Sequence, residues 1–166
     1  FTAITPEEAA TLSHRKPFLP YQPNPVISKL PKNGTLQPIE PLKVFDNVYW
    51  MGSRAVGVLV IDTGEGFVMI DSGSNDTEAA HIAGSFARMD LNAADIRLIV
   101  ISHEHFDHYG GVPYFLREVC PDAMVAISRT GWNLLQTVPT EFAFTQPRPQ
   151  KADILMDDGL CMKVGN

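Results

Sequence analysis

The chain has 166 residues, is 45% hydrophobic and carries a formal net charge of −6. That length and apolar share suffice for one domain with its own core, while the acidic balance argues against nucleic acid or an anionic membrane as a partner. No run of about 18 apolar residues occurs, so no transmembrane helix is expected.

In chain order, Thr5-Pro6-Glu7-Glu8 is a helix-start pattern, with Thr5 as cap and Glu8 three residues on; the helix is expected to end near His14. Pro17, Pro20, Pro23, Pro25, Pro31, Pro38 and Pro41 then exclude helix and sheet interior, which leaves an extended arm over residues 1–41 after that helix. The start at Phe1, without an apolar leader, fits a processed and exported protein, periplasmic or secreted.

Leu42 to Met51 and Ala55 to Thr63 read as two strands joined around Gly52-Ser53, and Phe67 to Ile70 returns as a third after the Gly64-Glu65-Gly66 turn. Asn75-Asp76-Thr77-Glu78 supplies a cap and first-turn acids for a helix running to about Met89, with Ala79, Ile82, Ala83, Phe86 and Met89 on one face and His81 off it. Asn92 to Asp95 is a short capped turn into Ile96–Ile101, a β-branched run that reads as a buried strand. A helix between two strands makes a βαβ-like unit, so the sheet is expected to mix parallel and antiparallel pairs.

Beyond that strand stands Ser102-His103-Glu104-His105-Phe106-Asp107-His108-Tyr109-Gly110-Gly111, which holds three of the five histidines of the chain. Imidazole and carboxylate are the usual ligands of zinc and related divalent metals. In extended backbone alternate side chains point the same way, so His103 and His105 can converge on one ion. If the chain then turns, Asp107 and His108 can address a second point ~3.5–4 Å away, the spacing of two-metal hydrolytic sites. Gly110-Gly111 is read as a tight turn before the next helix. A metal site on a strand-to-helix loop is therefore expected, at the strand end where α/β folds place their chemistry.

His-x-His-x-Asp-His resembles the signature of the metallo-β-lactamase superfamily. The resemblance extends to Val44–Gly52, similar to the family's first strand, and to Phe67–Gly73, similar to the strand that ends in its Asp-x-Gly turn. It is most specific over Leu42 to Ala126 and looks most like the β-lactamase subclass whose first zinc is held by three histidines. It implies an α/β fold, the αββα sandwich, of which residues 42–166 are similar to the N-terminal half: a mixed sheet with flanking helices. It also implies a zinc hydrolase with two Zn2+ ions, His103 and His105 on one and Asp107 and His108 beside the other, and Asp71 holding the histidine loop from behind. The implied substrate is a small molecule, a β-lactam, attacked at its carbonyl by a metal-bound hydroxide, the leaving nitrogen protonated by water or Asp107.

Downstream, Val112 to Val119 reads as a helix turning Val112, Phe115, Leu116 and Val119 inward, and Ala123 to Ile127 as a strand. Ser128 to Thr137 is a helix anchored by Trp132 and Leu135, and Val138 to Pro149 a long loop of the kind that often walls a substrate; Trp132, Phe142 and Phe144 read first as core packing and second as an apolar face for a ligand. Ala152 to Met156 and Leu160 to Val164 are expected as a final hairpin through Asp157-Asp158-Gly159. Cys120 and Cys161 can make one disulfide or none, a choice their spacing leaves open, and two buried free thiols is the first reading.

No histidine follows His108, whereas the family's remaining ligands come later in its chain. The expectation is thus half a site, completed by a C-terminal half or a second polypeptide. Two other readings stand beside the β-lactamase: another hydrolase of the superfamily, acting on a thioester, lactone or phosphoester, or a non-catalytic half-domain that binds metal or a partner.

Overall fold

A computed structural model describes residues 37–137 and 148–164. The expected N-terminal helix, most of the proline arm and the Phe142–Phe144 wall lie outside the described residues.

Seven strands form one sheet whose spatial order is the chain order: β1 (Leu42–Phe45), β2 (Val48–Gly52), β3 (Gly57–Asp62), β4 (Phe67–Ile70), β5 (Ile96–Ile101), β6 (Met124–Ser128) and β7 (Ile154–Met156). β1 to β4 pair antiparallel, as short connections permit; β4 to β7 pair parallel. Each parallel step needs a crossover, and helices supply them: α1 (Asp76–Arg88) before β5, α2 (Phe106–Tyr109) and α3 (Val112–Tyr114, continued by a wide turn at Phe115–Val119) before β6, and α4 (Arg129–Thr137) before β7. The result is the mixed sheet with flanking helices expected from the sequence, the α/β arrangement of a metallo-β-lactamase-like sandwich.

The period of two along each strand sorts side chains to opposite faces. Met51, Val58, Val60, Met69, Ile99, Ile101, Val125 and Ile127, all fully buried, meet Ile82 and Phe86 of α1 and Phe115 beyond α3. Phe67 and Phe86 meet edge to face at 5.5 Å. On the opposite face, among the described residues, Val68, Leu98 and Ala126 form the buried cluster; Ile61, Val100, Met124, Ile154 and Met156 around them are half-buried.

Two expectations about the sheet fail. The first strand does not run unbroken from Leu42 to Met51: Asp46-Asn47 turns it into a hairpin with Phe45 opposite Val48. Asx residues favour such turns through side-chain bonds, and Asn47 Nδ2 donates to the Asp62 carbonyl at 3.0 Å. The second failure is the final hairpin. The turn forms, with Leu160 N–H donating to Asp157 O at 3.1 Å, but 160–164 makes no strand. Asp157 is drawn to Arg129 of α4, at 2.8 Å, and Met162 and Val164 pack against the far-face cluster instead of extending the edge.

The capped segments follow the sequence. Asn75 caps α1 by accepting from Glu78 N–H at 3.0 Å, and Asn92 caps the turn before β5 by accepting from Ala94 N–H at 3.2 Å. Leu135 of α4 is buried and Trp132 half-buried. Cys120 is buried and Cys161 half-buried, both free.

Candidate metal centre

The parallel pairing of β4 with β5 carries both strands to the same edge, where their ends deliver Asp71 and Ser102 side by side. Asp71 N–H still bonds the Val100 carbonyl at 2.8 Å, yet its φ of +68° is left-handed. That conformation is uncommon for a residue other than glycine and collects at functional sites. It turns the carboxylate across the end of β5. Oδ1 accepts from Ser102 N–H at 2.8 Å and Oδ2 from Ser102 Oγ at 2.9 Å; Oδ2 also lies 2.8 Å from His108 Nδ1.

One carboxylate thus orients two histidines. His108 is held directly. His103 Nδ1 lies 3.0 Å from Ser102 Oγ, and a hydroxyl whose proton goes to Asp71 can only accept, so His103 carries its proton on Nδ1. In both rings Nε2 is then left with its lone pair, the state a metal ligand needs. The sequence reading missed Ser102; only its position between the strand and the first histidine could have marked it.

His103 Nε2 and His105 Nδ1 stand 3.2 Å apart. Two nitrogens bound tetrahedrally to one zinc at ~2.0–2.1 Å are separated by about 3.3 Å, so this pair has the spacing of two ligands of one ion. The His103 and His108 rings lie 3.9 Å apart between centroids, and His108 Nε2 is 3.7 Å from Asp107 Oδ2. His103, His105, Asp107, His108 and Asp71 are therefore brought to one edge. The donors fit a divalent metal in kind and spacing, but among the described residues no group of three or more His, Cys, Asp or Glu is arranged to hold one ion. A catalytic zinc takes about three protein ligands. What is present is half a coordination shell.

The protonation states follow from these contacts. Burial would raise the Asp71 carboxyl, but the bonds from His108 and Ser102 outweigh it and hold it below the usual range. Burial would lower His108, and the Asp71 bond with the Asp71, Asp107 and Glu78 charges lifts it above the ordinary imidazole value. His103 is pushed down, first by burial and then by His108 and His105. A lowered imidazole is free to coordinate at neutral pH.

The glycine pair makes the expected turn between α2 and α3, and it has a second task as well. Gly110 and Gly111 have ordinary helical φ of −62° and −85°. A Cβ on Gly110 would sit 2.1 Å from the Ser74 carbonyl oxygen, and one on Gly111 2.1 Å from that of Ser72. The pair lets the segment after His108 lie flat on the 72–74 turn, where Ser72 N–H donates to His108 O at 2.9 Å and Gly111 N–H to Gly73 O at 3.1 Å. From the other side Tyr109, only 2% exposed, sinks α2 into the core.

Comparison with known proteins shows what the chain is similar to. Residues 51–120 match the family model of the metallo-beta-lactamase superfamily. Among solved structures, the chain resembles BJP-1, a subclass B3 metallo-beta-lactamase of Bradyrhizobium japonicum, at 27% identity and TM-score 0.69, over 79% of this chain and 50% of that one. It also resembles MEM-A1, a subclass B3 enzyme from a soil metagenome library, at 30% identity and TM-score 0.65, over 78% and 50%. A curated relative is the type A flavoprotein fprA of Rhodobacter capsulatus, 34% identical over 121 residues, which cover 61% of this chain and 26% of the flavoprotein. The chain thus spans about half the length of the solved structures and about a quarter of the curated relative.

Proposed function

Because the chain carries a metallo-β-lactamase superfamily domain over part of its relatives' length, we propose that it serves a zinc-dependent hydrolase that opens the amide of a β-lactam. The observation that carries this reading is the 3.2 Å separation of His103 Nε2 and His105 Nδ1, two donors at the spacing of ligands to one ion. The subclass B3 relatives, at 27% and 30% identity, supply the substrate class.

In this reading His103 and His105 hold one Zn2+ and Asp107 and His108 take part in holding another. Zinc lowers the pKa of bound water to about 7 and so makes hydroxide available at neutral pH. Asp71 keeps His103 and His108 with their Nε2 lone pairs aimed at the edge. Asp107, a third exposed on its side chain, would take up the proton that the attacking water gives up and pass it to the leaving nitrogen. The remaining ligands come from further polypeptide, a C-terminal half or a second chain, seated on the apolar far face around Val68, Leu98 and Ala126. This location agrees with the half-buried ring of Ile61, Val100, Ile154 and Met156.

One observation favours a second reading. The flavoprotein relative shares more identity, 34%, than BJP-1 or MEM-A1, and supports a superfamily member that works beside a flavin module on a different substrate. The discriminating experiment uses the full-length natural protein, loaded with zinc, against a chromogenic cephalosporin and a thioester panel, before and after chelation. Cephalosporin turnover abolished by chelation is expected. Turnover of thioester alone, or flavin absorbance in the purified protein with no cephalosporin turnover, overturns the β-lactam assignment.

A further inference from the structure

Behind the histidine loop sits an acid that this reading does not use. Glu78, in the first turn of α1, is only 8% exposed. Its Oε2 accepts two bonds from one residue: Ser74 N–H at 2.9 Å and Ser74 Oγ at 2.6 Å. Its Oε1 is buried with no hydrogen-bond partner among the described residues.

An ordinary capping box does not account for this. There the acid at the third helical position reaches back to the N–H of the cap itself. Here the cap is Asn75, and Glu78 reaches past it to Ser74, outside the helix. Capping acids are also normally solvated, whereas a buried carboxylate with one bare oxygen is costly. The residue it grips is no ordinary turn residue either. Ser74 is 4% exposed, and its carbonyl oxygen is the atom against which Gly110 lies flat. Glu78 Cγ fills the space under Gly73, 2.9 Å from where a Cβ would be, and Gly73 takes a φ of +81°. The next bonds outward, Gly111 N–H to Gly73 O and Ser72 N–H to His108 O, end on the histidine loop itself.

We infer that Glu78 is a positioning residue for the metal centre: it locks the Ser72–Ser74 turn from beneath, and that turn sets the height of His108 and the Gly110-Gly111 segment. Asp71 fixes how the histidine rings are oriented; Glu78 fixes where the backbone carrying them sits. The inference deepens the proposed metal site and rests on it.

The test measures Co2+ binding and the visible ligand-field spectrum of the full-length protein in four forms: wild type, Glu78→Ala, Glu78→Gln and Ala80→Gly. Glu78→Ala is expected to weaken Co2+ binding about 10-fold, the lower end of what lost supporting contacts cost a metal site, and to alter the spectrum. Glu78→Gln restores binding to within about 3-fold, because its carbonyl oxygen can take both Ser74 donors. Ala80 is exposed on the same helix, so Ala80→Gly loosens α1 without touching the turn and leaves binding unchanged. Wild-type affinity in Glu78→Ala, or equal weakening in Ala80→Gly, overturns the inference. If Glu78→Ala fails to fold, Ser74→Ala removes the hydroxyl alone, and wild-type affinity and spectrum there overturn it equally. Amide exchange at Ser72 and Gly111 separates the two claims. A wild type that binds no Co2+ sinks the metal reading, while faster exchange in Glu78→Ala than in Ala80→Gly would still identify Glu78 as what holds the turn.

Discussion

The two faces of the sheet are built from the same strands and the same kind of residue, yet they end in different states. In β5, Ile99 and Ile101 on the helix side are fully buried, while Val100 between them is half-buried on the other side. α1 and α3 close the first face; the second has only the 162–164 segment packed on it among the described residues. The polar site shows the same asymmetry. Its support from beneath bonds both carboxylate oxygens of Asp71, while among the described residues no group of three or more donors is arranged on its outward side to hold one ion. The difference teaches that the described residues build the floor of a site more fully than its outward side.

The contrast is broken most directly by paired truncations. Ile99→Ala should cost about 3–4 kcal/mol, the transfer and cavity cost of a sealed core position, and Val100→Ala about 1 kcal/mol or less. Urea unfolding of both variants is the measurement, and equal losses would mean that the far face is as closed as the near one.

A smaller effect, about 2 kcal/mol, is expected for Asp71→Asn in the metal-free protein, and its pH dependence carries the sign. The folded carboxyl lies below its usual value, so its contribution is present above the unfolded Asp pKa of ~3.9 and is lost as pH falls through the folded one. His108 is raised, so its contribution is full below the unfolded His pKa of ~6.5 and fades as pH rises through the folded value. The gap between wild type and variant should therefore be widest between about pH 4 and 6.5, read from urea midpoints across pH. A gap that grows steadily toward alkaline pH would remove the pair as the cause.

The smallest test needs no mutation. Cys120 belongs to the helix-side core and burial pushes its thiol up to about 11, whereas Cys161 is half-buried on the strand-free segment. Alkylation at mildly alkaline pH, followed by peptide mass mapping, should label Cys161 first and leave Cys120 protected until unfolding.

Much of the floor was legible in the sequence because local chemistry writes it. The β-branched run of β5, the Asn75 cap of α1 and the alternation of His103 and His105 each speak through neighbours a few residues away. What escaped depends on parts far apart in the chain. Gly110 and Gly111 make the turn they were read as, but their need for glycine comes from the carbonyls of Ser74 and Ser72, more than thirty residues earlier. Ser102 and Glu78 gain meaning only when β4 and β5 lie parallel. Asp157-Asp158-Gly159 did make its turn, but the Arg129 partner and the apolar far face decided where the chain went next.

Strand order equal to chain order has a consequence for how the molecule is made. Each strand emerging from a ribosome finds its only earlier neighbour already synthesised, so the sheet can be laid down one strand at a time. The two longest waits, of equal length, are the passages from β4 to β5 and from β6 to β7; in the first, α1 is synthesised before Ile96 can pair. Until then the nascent chain shows a four-stranded antiparallel meander with β4 as an open edge. The order of synthesis thus makes Asp71's strand first, and the groups that hold its carboxylate, Ser102 and His108, arrive later with the histidine loop.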